Sequence, residues 1–169
     1  MKFNTKSLLI AVSLLGVVTL SSAVDLKQSI QSIYDKISTL TMKKDLNALR
    51  KEMISTSTKD FVYVAKNAQP KDIAALTVEM KEQFKVVKKF NRNVNRIEKL
   101  TVTGKTAKAL VTGLYKIEII TPDKKLHVVS GISRTMDTWV KVGSEWKIRE
   151  IRVLGETVTM DGKPLPTGG

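Results

Sequence analysis

The hydrophobic period of this chain changes once, from a repeat of three or four residues to a repeat of two, and that switch limits what it can fold into. Over residues 25–40 the apolar side chains Leu26, Ile30, Ile33, Ile37 and Leu40 are spaced by fours and threes, which draws one buried stripe on a helix. Asp45 suits the N-cap of a short second helix carrying Leu46, Leu49 and Met53. Pro70 suits the first turn of a third helix, with Asp72 near its positive end and a stripe of Ile73, Leu76, Met80, Phe84 and Val87. Phe61-Val62-Tyr63-Val64, between the last two helices, is a short β-rich piece. From there on the pattern predicts strands over 94–103, 107–120, 126–142 and 145–154, separated by turn signals at Gly104-Lys105, Pro122-Asp123 and Gly143-Ser144. Helices first and hairpin-connected strands last predict an α+β domain, with three N-terminal helices packed on one face of an antiparallel sheet.

The residues before this domain read as an export leader. Lys2 and Lys6 give a positive start, residues 8–20 are an apolar run too short for the roughly 20 residues of a membrane span, and Ser21-Ser22-Ala23 offers a cleavage site before Val24. The expected division is a signal peptide over 1–23, one domain over 24–158 and a flexible tail over 159–169 that holds two prolines and a terminal Gly-Gly. A bacterial periplasmic or secreted location follows from the leader. The chain has no Cys, so neither a lipid-modified cysteine nor a disulfide enters the reading, and a domain of this length can bury a core without bridges.

The formal net charge is +13, and the excess is uneven. Residues 81–108 carry nine Lys or Arg against Glu82 and Glu98, with Lys85, Lys88, Lys89 and Arg92 at their centre. Such a surface attracts anionic polymers or lipid headgroups, or it is a solvated face that keeps the protein soluble. Nucleic acid is not the favoured partner, because only Phe84 and Phe90 stand nearby as stacking groups and both suit a core.

The segment Ser133-Arg134-Thr135-Met136-Asp137-Thr138-Trp139-Val140-Lys141, followed by Gly143 and by Glu145-Trp146-Lys147-Ile148, resembles the nuclear-transport-factor-2-like superfamily, in particular its exported SnoaL-like and ketosteroid-isomerase-like domains. The element order agrees over roughly residues 26–154. The resemblance implies a cone, a strongly curved sheet wrapping the helices with a pocket at the open end. Members of that group include isomerases, dehydratases, ligand binders and interaction modules, so the fold leaves function open. Its isomerases use a carboxylate base after the first short strand, with a Tyr on the first helix and an acid on a late strand. Here Tyr34 and Asp137 occupy the latter two places, while the base region reads Val64-Ala65-Lys66-Asn67 and contains no acid.

No catalytic set, metal site or cofactor motif is read from the residues. His127 is the only His, and with no Cys it cannot build a typical zinc site. If Val142 faces Glu145 across the last hairpin, Trp139 faces Ile148 and Asp137 faces Glu150. Those two carboxylates could share a proton, or Arg134, Arg149 and Arg152 could neutralise them in a surface ladder. Arg134 sits on an apolar stripe and needs a partner, either Glu118 or an acidic ligand in the pocket. Tyr34, Tyr63 and Tyr115 are the polar-tipped aromatics placed to line a pocket. Three functions follow: a non-catalytic binding module for a small or anionic ligand, an enzyme using an unfamiliar set such as Asp137, Glu150 and Tyr34, or a structural protein of the cell envelope that is a homodimer joined through the sheet or an accessory partner of another protein.

Overall fold

In the computed structural model of the chain, residues 5–66 and 68–165 are described, with side chains from Ala23 onward. Helix α1 (Thr5–Met42) is followed by α2 (Leu46–Thr56), β1 (Ser57–Val64), α3 (Ile73–Val86), β2 (Val87–Thr103), β3 (Thr106–Ile120), β4 (Leu126–Val142), β5 (Glu145–Met160) and the short β6 (Lys163–Pro164). The strand order is β1-β5-β4-β3-β2, with β6 beside β5. β1 runs parallel to β5 and the other pairings are antiparallel. The helices pack on one face of this curved sheet, as the switch of hydrophobic period predicts.

Helix α1 is continuous through the expected leader boundary, in keeping with a stretch that contains no proline. No helix among the described residues is long and apolar enough to cross a membrane. The deepest line of α1 is Leu26, Ile30, Tyr34 and Ser38, at strict steps of four, while Ile33 and Ile37 flank it half-buried. The helix packs along β2, and Ala107 and Ala109 of β3 are fully buried in one cluster with Leu26, Ile30, Ile97, Trp139 and Ile148. Gln31 closes the exposed edge of β2, its amide donating to the Asn95 carbonyl at 2.7 Å and accepting from the Ile97 amide at 3.1 Å. Asp45 and Asp72 cap α2 and α3, accepting from the Ala48 and Ala75 amides at 3.0 and 2.8 Å, so Pro70 precedes the third helix and Asp72 starts it.

Three local features depart from the sequence reading. Strand β2 begins at Val87 and not near 94: Val87, Lys89 and Phe90 pair with Ile119, Glu118 and Ile117, and sheet pairing overrides the helical stripe. Strand β5 runs to Met160, so the expected tail from 159 starts with ordered sheet. There Asp161 and Gly162 turn the chain with positive φ, and Asp161 accepts from the Val128 amide at 2.9 Å and lies 2.7 Å from His127 Nδ1. Residues 166–169 lie outside the described residues. The third departure is a bulge between Thr138 and Trp139, which changes the partners of Asp137.

Candidate functional site

The last hairpin starts in the expected register, with Val142 opposite Glu145, Lys141 opposite Trp146 and Trp139 opposite Ile148. The bulge then sets Thr138 opposite Glu150 and Asp137 opposite Ile151. Asp137 points inward with Trp139 two residues on, and the unpaired Arg149 of β5 brings Ile151 to that face, while Glu150 is carried to the outer face and pairs with Arg152 at 2.8 Å. The facing Asp137–Glu150 carboxylates and the catalytic set built on them are absent for this reason.

Asp137 instead meets Tyr34. Trp139 Nε1 donates to Tyr34 Oη at 3.3 Å, and Tyr34 Oη donates in turn to Asp137 Oδ2. The Tyr34 and Trp139 rings stand edge to face at 5.9 Å. All three side chains are buried, Asp137 to 1% exposure, and its Oδ1 has no hydrogen-bond partner among the described residues. A buried oxygen left without a partner is rare in a folded protein. Burial pushes the Asp137 carboxyl up to about 6, opposed by the Thr135 hydroxyl, which lies near the carboxylate without a formed hydrogen bond, and by the hydrogen bond from Tyr34. Burial first, and then the charge and hydrogen bond of Asp137, raise the Tyr34 phenol well above its ordinary value.

This trio forms the floor of a cavity of about 400 Å³ between the helices and the inner face of the sheet. Its walls are mostly apolar, with Ile33 and Ile37 from α1, Leu76 and Met80 from α3, Phe61 from β1 and Val153 from β5. Asn93, Asn95 and Ser133 add neutral polar groups. The ionisable lining consists of Tyr34, Tyr63, Glu79, Asp137 and Glu156, and no Lys, Arg or His among the described residues lines it. A second cavity of about 520 Å³ adjoins the first and shares Gln83, Asn93 and Glu156 with it.

Tyr63 lines the main cavity, and burial followed by Glu156, Glu79 and Asp137 raises its phenol. Tyr115 lines the second cavity, where its hydroxyl donates to Glu156 at 3.3 Å and burial pushes the phenol up to about 12. Its ring lies over Gly131 on β4, where an added Cβ would stand 2.3 Å from Cζ. Arg134 lines neither cavity. It is on the outer face, exposed, and donates to Glu98 at 2.9 Å, so neither the expected Glu118 partner nor an acidic pocket ligand accounts for it. Lys85 ends α3 and pairs with Glu82 at 2.6 Å, whereas Lys88, Lys89 and Arg92 are exposed on β2.

With that geometry in view, the chain matches many solved structures over most of its length. A conserved protein from Planctomyces limnophilus superposes with a TM-score of 0.61 at 16% identity, covering 85% of this chain and 99% of that one. The chain has the nuclear-transport-factor-2-like fold. A nuclear-transport-factor-2-like protein from Cytophaga hutchinsonii gives 0.56 at 12% identity, covering 75% and 94%. A protein from Novosphingobium aromaticivorans, provisionally described as a scytalone dehydratase, gives 0.58 at 13% identity, covering 89% and 98%. No known family profile matches the sequence, and no curated protein matches it. At these identities the likeness carries the fold and not an activity.

Proposed function

We propose that this is an exported, non-catalytic binding domain whose nuclear-transport-factor-2-like cone takes a small molecule with an apolar body and a neutral or cationic polar head. The observation that carries the reading is the unpartnered Asp137 Oδ1 beneath a largely apolar cavity. A ligand head that donates a hydrogen bond towards the floor would complete what the protein leaves open. The absence of any cation from the described lining disfavours an anionic head, and with Arg134 outside the cavity an acidic ligand loses the partner expected for it. Export rests on the leader-like residues 1–23.

Three matched compounds test this: 4-phenylbutanol, 4-phenylbutylamine and 4-phenylbutyrate, titrated against the protein while its tryptophan emission is followed. The alcohol and the amine are expected to bind and the carboxylate to bind at least tenfold more weakly, with Asp137→Asn erasing the preference for the amine. Tightest binding by the carboxylate would overturn the reading.

A further inference from the structure

The outer face of the same sheet carries a strip of cations that the fold does not use. Cross-strand register puts Lys89, Arg92, Arg96 and Lys99 of β2 on one face with Lys108 and Lys116 of β3. All six are exposed, and none forms an ion pair among the described residues. The acids beside them have other partners. Glu98 accepts from Arg134 and Thr112, and Glu118 accepts from Asn91 at 3.0 Å. Arg92 stands directly opposite Lys116, a like-charge pair that works against the pairing of the two strands.

We infer that this strip is the docking face for a linear acidic polysaccharide. Alternate side chains along a strand are about 6.7 Å apart, so Lys89, Arg92, Arg96 and Lys99 form a track about 30 Å long on β2, with Lys116 of β3 beside Arg92 and Lys108 of β3 just past Lys99. A long, narrow track on a curved face fits an extended chain of anionic sugars better than the plane of a bilayer. Single-stranded nucleic acid fits less well, because no Phe, Tyr or Trp stands on this face of β2 or β3 to stack a base. A second copy of the protein fits poorly too, since a two-fold interface here would set six unneutralised cations against six more. The leader-like residues 1–23 point the domain towards the cell exterior, where such polymers occur. This inference is independent of the cavity, which opens on the opposite face of the sheet.

The test is binding of the full chain to size-defined polygalacturonate oligomers by calorimetry, with poly(U) RNA and phosphatidylglycerol vesicles as competing arms. Polygalacturonate is expected to bind most tightly, with affinity falling about tenfold or more between 50 and 200 mM salt as counterions are released and re-bound. The double reversal Arg92→Glu/Arg96→Glu is expected to weaken binding at least tenfold. A charge-matched control, Lys51→Glu/Lys59→Glu on α2 and β1, leaves it within twofold. Circular dichroism checks both variants, and Arg92→Gln/Lys116→Gln replaces the reversal if that variant does not fold. No binding at 20 mM salt, equal loss in the control, or tighter binding to RNA or vesicles would overturn the inference.

Discussion

The two faces of the central strands are built from alternate residues of the same segments, yet their chemistry is opposite. On β3 the inward residues Ala107, Ala109, Val111 and Gly113 are buried, and the outward residues of the same strand include Lys108 and Lys116. On β4 the inward series ends in Asp137 and Trp139, while Arg134 and Thr138 face out. The cavity lining therefore holds one buried acid, Asp137, with the exposed Glu79 and Glu156 at its edge and Glu79 paired with Lys71 at 2.6 Å, inside a chain whose formal charge is +13. The lesson is that net charge says little about a cavity here. Strand alternation sorts these side chains, with the exposed cations of β2 and β3 on the outer face and Asp137 of β4 on the inner one.

The strongest way to break the interior is to remove its largest fully buried side chain. Trp139→Ala is expected to cost about 3–5 kcal/mol in urea denaturation, because it leaves a hole over Ala107 and takes the indole donor from Tyr34. Next in size is Asp137→Asn. A carboxyl raised from 3.8 to about 6 on folding contributes no penalty below pH 4, where it is protonated in both states. Stability is lost as pH rises from about 4 through 6, to roughly 3 kcal/mol, and is flat above. The Asn variant should therefore be more stable than the parent at pH 8 and lose that part of the pH dependence, read as midpoints of urea curves at pH 4, 6 and 8.

A smaller effect is expected at the rim. Gly131→Ala should cost about 1–2 kcal/mol, since the new Cβ meets the Tyr115 ring at 2.3 Å, and adding Tyr115→Leu should return part of it in a double-mutant cycle. The smallest effect belongs to the outer face. Arg92→Glu turns the repulsion with Lys116 into attraction and should stabilise by about 0.3 kcal/mol at low salt, fading in 0.5 M salt. If this change matched that at Asp137, the contrast between a buried acid and a solvated exterior would fail.

Much of the fold was legible because it rests on patterns that packing amplifies. The change of period separated helices from strands, and Gly143-Ser144 set Trp139 opposite Ile148. Asp137 and Tyr34 were both visible as candidates. Their meeting is what the resemblance implies. What the sequence did not show is that Ile151 and not Glu150 faces Asp137, because that depends on the bulge that leaves Arg149 of β5 unpaired beside Thr138–Trp139, where no Gly or Pro marks the chain. The same bulge places Ile151 on the cavity wall. Residues 86–90, Val-Val-Lys-Lys-Phe, satisfy a helical stripe and a strand alike, and only the partners Ile119, Glu118 and Ile117 decide between them. Lys85 consequently parted from Lys89 and Arg92, and the basic strip came to include Arg96, Lys99, Lys108 and Lys116.

The most direct test of an acid-floored, cation-free interior is the titration of Asp137 itself. Carbon-detected NMR of the side-chain carboxyl, assigned by its loss in Asp137→Asn, should give a midpoint near 6 in the ligand-free protein. A midpoint near or below 4 would mean that the carboxyl is solvated or paired with a cation, and would contradict the account of the cavity.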